Sequence, residues 1–108
     1  MAASTLQLQS SADCRERFNR LTAEWKEKSR FLSNTAQMAL LRPYQAIIGM
    51  GMPVVPLILE EMEREPDQWF WALESITEEN PVRPEDAGNV RQMTKSWIDW
   101  GRQRGLTK

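Results

Sequence analysis

The stretch Ile47–Thr77 reads IIGMGMPVVPLILEEMEREPDQWFWALESIT. The fold of this 108-residue chain follows mainly from this stretch. Gly49 and Gly51 precede an apolar pattern at helical spacing, and a Pro-Asp turn separates this pattern from a second one. Residues three and four positions apart lie on one helix face, so the stretch predicts two helices joined by a short turn. Helical hairpins of this kind usually present surfaces to other proteins, which favours binding over chemistry.

The two predicted helices run from about Pro53 to Arg64 and from about Gln68 to Glu78. Pro66 and Asp67 form the turn, and Asp67 is a candidate N-cap for the second helix. This arrangement resembles one HEAT-type repeat. The residues that carry the resemblance are Ile48, Gly49, Gly51, Val55, Pro56, Leu57, Leu59, Met62, Ala72, Leu73 and Ile76.

The chain departs from a HEAT-type array in two ways. The second helix of such a repeat usually starts with a valine-arginine type pair, whereas this one starts with Trp69, Phe70 and Trp71. The pattern also has no second copy in the sequence, and a single repeat cannot bury its own two faces. We therefore expect the hairpin to be enclosed by the flanking helices in one small globule.

The flanking segments also predict helices. The first helix is expected from about Ala12 to Ser29, two short helices near Gln37–Leu41 and Tyr44–Met50, and the last from Asp86 or Asn89 to Gln103. The predicted core stripes on the first and last helices consist of Cys14, Phe18, Leu21, Trp25, Val90, Met93, Trp97 and Trp100. The predicted fold class is all-α, a compact single domain of four to six helices over residues 11–108.

Residues 1–10 are small and polar with isolated leucines, and they predict a flexible N-terminal tail. The alternative is a segment that becomes ordered on a partner through Leu6 and Leu8. The start of the chain lacks a basic region followed by an apolar one, and no apolar run is long enough for a membrane span. The sequence therefore predicts a cytoplasmic protein without a membrane partner.

Composition disfavours enzymatic function. The chain has no histidine, the commonest general base and metal ligand, and its single cysteine, Cys14, is expected to be a small core residue. Glu60, Glu61 and Glu63 do not share one helix face, which disfavours a metal site, and the other acids lie at helix ends and in loops. We predict no enzyme, no cofactor and no metal.

A longer resemblance extends from Phe18 to Gly105. The motifs IIGMG, PDQWFWAL, NPV and PED, followed by W-x-x-W-G, resemble a family of small bacterial proteins of unassigned function. The resemblance implies a fold and a bacterial cytoplasmic setting. Small size and the lack of catalytic residues would suit an accessory, adaptor or antitoxin-like protein.

Charge is unevenly spread along the chain. Ten acidic residues and two basic ones lie between Glu60 and Asp86, whereas five basic residues and one acidic one lie from Ala87 to Lys108. One interpretation is a solvated surface whose ends differ. The other is an acidic patch that steers a basic partner, because complementary potentials raise association rates.

Two candidate interaction surfaces follow from these patterns. The predicted function is non-enzymatic protein–protein interaction, with another protein, for example one encoded nearby, or a second copy of the chain as the partner. The predicted partner-binding residues are Tyr44, Met50, Met52, Phe70 and Trp71. The alternative is a nucleic-acid-associated adaptor that uses the basic last helix through Arg91, Lys95, Arg102 and Arg104.

Overall fold

A computed structural model describes the backbone of residues 2–108 and the side chains of residues 11–108. These residues form no strand, which confirms the all-α fold class. The described part contains six α-helices: α1 (Ala2–Ser29), α2 (Thr35–Ala39), α3 (Arg42–Gly49), α4 (Val55–Arg64), α5 (Phe70–Thr77) and α6 (Val90–Gln103). Two short 3₁₀ turns, Met52–Val54 and Pro84–Asp86, precede α4 and α6.

Helix α1 begins earlier than the sequence predicts. Its backbone is helical from Ala2, so the predicted start near Ala12 is wrong. The side chains of Leu6 and Leu8 lie outside the described residues. The flexibility of residues 1–10 therefore stays a prediction.

An aromatic cluster joins α1, α3 and the start of α5. The indole of Trp69 lies with its ring centre 4.6 Å from that of Trp25, 5.7 Å from Phe18 and 5.9 Å from Tyr44. All four side chains are buried, and the indole N–H of Trp25 donates to the carbonyl of Met38 at 2.9 Å. The cluster therefore holds the long first helix against α3 and fixes the entry to α5.

The hydroxyl of Tyr44 stabilises the first turn of α5 from outside that helix. It accepts a hydrogen bond from the N–H of Ala72 at 2.9 Å and donates one to the carbonyl of Gln68 at 3.0 Å. Helix α5 has no side-chain cap of its own, and Asp67 Oδ1 accepts from the N–H of Gln68 at 2.7 Å. The prediction that Asp67 caps this helix is therefore wrong, and a residue distant in sequence satisfies one of the free amides.

Tyr44→Phe is expected to lower the free energy of unfolding by about 1–2 kcal/mol. The substitution keeps the buried ring and removes only the hydroxyl that bonds two buried backbone groups. Urea denaturation followed by circular dichroism would measure the loss, and Tyr44→Leu, which also removes the aromatic contacts, should cost more. Equal stability of Tyr44→Phe and the wild type would show that the two hydrogen bonds of the hydroxyl contribute nothing to the free energy of unfolding.

Each helix of the predicted hairpin packs mainly on a helix outside it. Helix α4 packs mainly on α6, and α5 packs mainly on α3. A Cβ atom on Gly101 of α6 would lie 2.5 Å from Cδ1 of Leu59 on α4, so glycine permits this close approach. The segments predicted as a HEAT-like hairpin are thus each paired chiefly with another helix, and the HEAT-type relationship stays a prediction.

The junction between α3 and α4 is a sharp bend. Gly51 has φ +75°, a conformation that residues with a side chain rarely adopt, and it positions the 3₁₀ turn before α4.

No single helix among the described residues is long and apolar enough to cross a membrane. The segments Arg42–Gly49 and Met52–Arg64, bent by 108° relative to each other, meet the length and composition criteria only as a pair.

Candidate protein-binding site

The outward face of α5 carries an exposed tryptophan among polar side chains. Glu74 and Ser75 lie three and four positions after Trp71, so the three residues share one helix face, and Glu78 follows the last residue of the helix. The side chain of Trp71 is 46% exposed, whereas its neighbour Phe70 is buried. This arrangement agrees with helix geometry, which directs adjacent side chains about 100° apart and keeps one of the pair out of the core.

A groove of about 360 Å³ lies beside Trp71. Its lining comes from the short helix α2, the turn before α5, α5 itself and α6. The lining residues are Thr35, Gln68, Phe70, Trp71, Glu74, Ser75 and Met93. Aromatic and thioether surface thus meets polar groups that can orient a bound chain, and the groove is large enough for one or two side chains.

The electrostatics of this face are acidic. Glu74 and Glu78 form no ion pair within the described part of the chain, and the last turn of α5 contains no basic residue. The C-terminal end of a helix carries partial negative charge, so carboxylates there are unfavourable. Glu78 ends the helix with φ 58°, a left-handed conformation that glycine or asparagine adopts more readily.

The structure separates the predicted partner-binding residues. Tyr44 is fully buried and Phe70 nearly so, because α3 packs between α1 and α5, and Phe70 only lines the groove. The prediction that Tyr44 extends an exposed surface is therefore wrong, and of the two neighbours Phe70 and Trp71 it is Trp71 that is exposed. Met52 is 49% exposed, and Met50 lines a different groove against α1 with Asp13, Cys14, Arg17, Gly49 and Pro53. Of the five predicted residues, only Trp71 is both exposed and part of the α5 groove.

Two of the four predicted nucleic-acid contacts form ion pairs with carboxylates. Arg104 pairs with Glu79 at 2.8 Å and stacks on the ring of Trp100, with 4.5 Å from its guanidinium carbon to the ring centre. Arg102 pairs with Glu63 at 3.4 Å. Arg91 and Lys95 are exposed and form no ion pair with the described residues, which leaves a small positive patch.

The acids of α4 serve in ion pairs with other helices. Glu60 pairs with Arg15 at 3.3 Å, and Glu61 pairs with Lys26 at 2.6 Å. Among the described residues, no three His, Cys, Asp or Glu side chains are close enough together to hold a metal ion. Cys14 is half-buried at the edge of the Met50 groove, so the predicted core position is only partly correct.

Glu61 is a buried charged residue that the sequence pattern did not single out. Its side chain also accepts from Arg64, and Lys26 pairs in addition with Glu65 at 3.0 Å. Burial opposes ionisation of Glu61, but the hydrogen bonds from Lys26 and Arg64 outweigh it and lower the pKa of this carboxyl. The sequence signal was available, because Glu61 lies next to Met62 and three positions after Ile58 on the core side of α4.

Comparison of the chain with protein-family models, with curated proteins and with solved structures finds no match.

Proposed function

We propose that the protein is a non-enzymatic protein–protein interaction module that binds its partner through the α5 groove. The observation that carries this proposal is the position of Trp71. The four other tryptophans, Trp25, Trp69, Trp97 and Trp100, are buried, whereas Trp71 lies exposed at the edge of a groove. Tryptophan contributes disproportionately to binding energy at protein interfaces, especially where a neighbouring pocket excludes water.

The remaining features of the chain support the same role. Two of the four basic residues named for the nucleic-acid alternative, Arg102 and Arg104, already pair with Glu63 and Glu79. Net charge is −1, which disfavours a polyanion as the main ligand. We place the module in a bacterial cytoplasm, as an accessory, adaptor or antitoxin-like protein whose partner is a protein encoded nearby.

Trp71→Ala is expected to abolish capture of the partner from extracts of the native host. Loss of one hot-spot tryptophan costs about 2 kcal/mol or more, which corresponds to roughly 30-fold weaker binding. Affinity capture on tagged protein, followed by mass spectrometry and quantification of bound nucleic acid, would measure the effect. Circular dichroism of the variant should show unchanged helicity, because the side chain contributes little to the core.

Phe31→Ala is the matched control for this experiment. Phe31 lies in the loop between α1 and α2 and is 91% exposed. The guanidinium carbon of Arg30 lies 5.4 Å from the centre of its ring. Its loss removes an exposed aromatic ring without touching the groove. A protein partner retained by Phe31→Ala and lost by Trp71→Ala supports the proposal. Retention of nucleic acid alone, or equal capture by all three proteins, would overturn it.

A further inference from the structure

Two carboxylates at the C-terminal end of α5, Glu74 and Glu78, form no ion pair with the described residues. Most acidic residues form ion pairs with lysine or arginine, and the only ones without such a pair in the described part of the chain are Asp13, Glu16, Asp67, Glu74 and Glu78. Glu74 shares a helix face with Trp71 and lines the groove, and Glu78 ends the same helix four positions later. The exposed aromatic ring and uncompensated negative charge therefore coincide.

The position of these two carboxylates is unfavourable for the isolated domain. Glu74 lies in the last turn of α5 and Glu78 directly follows that turn, where the helix dipole disfavours anions, and like charges four positions apart repel. Glu78 also holds a left-handed backbone conformation. A bound cation would relieve both electrostatic penalties, whereas an anionic or purely apolar partner would relieve neither.

We infer that the α5 groove recognises a basic segment of the partner protein, with one apolar side chain followed by lysine or arginine residues about one helical turn apart. The apolar side chain would pack on Trp71, Phe70 and Met93, and the cations would face Glu74 and Glu78. Carboxylates four positions apart on a helix are separated by about 6 Å along its axis, which matches cations spaced in the same way on a partner helix. Arginine can bind a carboxylate through two parallel hydrogen bonds. This inference rests on the proposed function and names the chemistry of its partner.

The test is a selection of displayed random dodecapeptides on the immobilised full chain. We expect the enriched peptides to combine an aromatic or aliphatic residue with two or more lysine or arginine residues. Their affinities would then be measured by fluorescence polarisation against the wild type, Trp71→Ala and two charge-reversal variants. Glu74→Lys/Glu78→Lys should weaken binding by about tenfold or more and remove its dependence on salt.

Asp13→Lys/Glu16→Lys is the matched control, because it makes the same change in net charge at two unpaired carboxylates on α1. It should retain binding within about twofold, because neither Asp13 nor Glu16 lines the α5 groove. Equal losses in both double variants would overturn the inference, because the attraction would then depend only on net charge. Selected peptides that require Trp71 but are neutral or acidic would also overturn it while leaving the proposed function intact.

Two further outcomes bear on the proposed function itself. Enrichment of no peptide that depends on Trp71 would overturn both the proposed function and this inference. Sedimentation of the free protein tests for a second copy as the occupant. If the wild type is a dimer and Trp71→Ala is a monomer, the occupant of the groove is a second copy of the chain and not a basic partner segment.

Discussion

Trp69→Ala is expected to lower the free energy of unfolding by about 3–5 kcal/mol, the range observed for large-to-small substitutions of buried aromatic residues. The indole is completely buried and contacts the rings of Phe18, Trp25 and Tyr44. Its removal opens a cavity between α1, α3 and α5 and withdraws three aromatic contacts. Small domains have total stabilities of about 5–15 kcal/mol, so the variant should be close to unfolding at room temperature.

Trp71→Ala provides the comparison. It removes the same type of side chain from a half-exposed site that lies two positions after Trp69. Urea denaturation followed by circular dichroism should show a change of less than about 1 kcal/mol for this variant. Trp69→Phe keeps a ring in the cluster and should give a measurable transition even if Trp69→Ala does not fold. The indole N–H of Trp69 has no acceptor among the described residues, so phenylalanine sacrifices no hydrogen bond. Similar losses at the two tryptophan positions would contradict the burial that distinguishes them.

Glu61→Lys is expected to lower the free energy of unfolding by about 3 kcal/mol or more, because it places a third cation between two others. The carboxylate is only 8% exposed and bonds the ammonium of Lys26 on α1 and the guanidinium of Arg64 on α4. Reversal of its charge leaves these groups without an anion on the buried side. Glu60→Lys, at the adjacent position, breaks only the exposed pair with Arg15 and should cost less than about 1 kcal/mol.

The same ion pair predicts how stability depends on pH. Burial alone would raise the pKa of Glu61, but the hydrogen bonds from Lys26 and Arg64 outweigh it, so this pKa is lower in the folded than in the unfolded chain. The folded protein therefore binds fewer protons near this pKa. The stabilisation is present above about pH 4.5 and is lost as the pH falls through the folded-state pKa. Glu61→Gln should show a shallower loss of stability than the wild type over that range.

A charge exchange distinguishes the ion pair from its packing. The double variant Lys26→Glu/Glu61→Lys restores an opposite-charge pair between α1 and α4, and it should recover part of the stability that Glu61→Lys loses. The partners Glu65 and Arg64 keep their native charges, so recovery should be incomplete. If the double variant is no more stable than Glu61→Lys alone, the loss comes from sterics rather than from charge.

Local sequence signals predicted most of the helices. Asn34 and Asn89 cap α2 and α6 through their side chains, as asparagine before an apolar pattern indicates. Pro43 lies in the first turn of α3, and the core stripe Trp97 and Trp100 of α6 is buried. These features depend on residues close together in sequence, so periodicity and capping rules suffice for them.

The candidate site was only partly predictable. The pattern WFW at residues 69–71 required one side chain to lie outside the core, and the structure selects Trp71 because α3 and α1 cover the other two. Tyr44 looked like a surface aromatic because its hydroxyl partners, Gln68 and Ala72, are distant in sequence. The contributions of Thr35 and Met93 to the groove likewise depend on how α2 and α6 pack beside α5.

The helical class, most helix limits and the acidic character of the segment that contains α5 follow from the sequence, because each depends on neighbouring residues. Which acids remain unpaired depends on how the helices pack. Cations on α1, on α6 and directly after α6 form ion pairs with Glu60, Glu61, Glu63 and Glu79. In contrast, Glu74 and Glu78 are exposed and form no such pair with the described residues. Charge compensation is a matter of distance in space, and the distances between helices are set by the burial of the aromatic core.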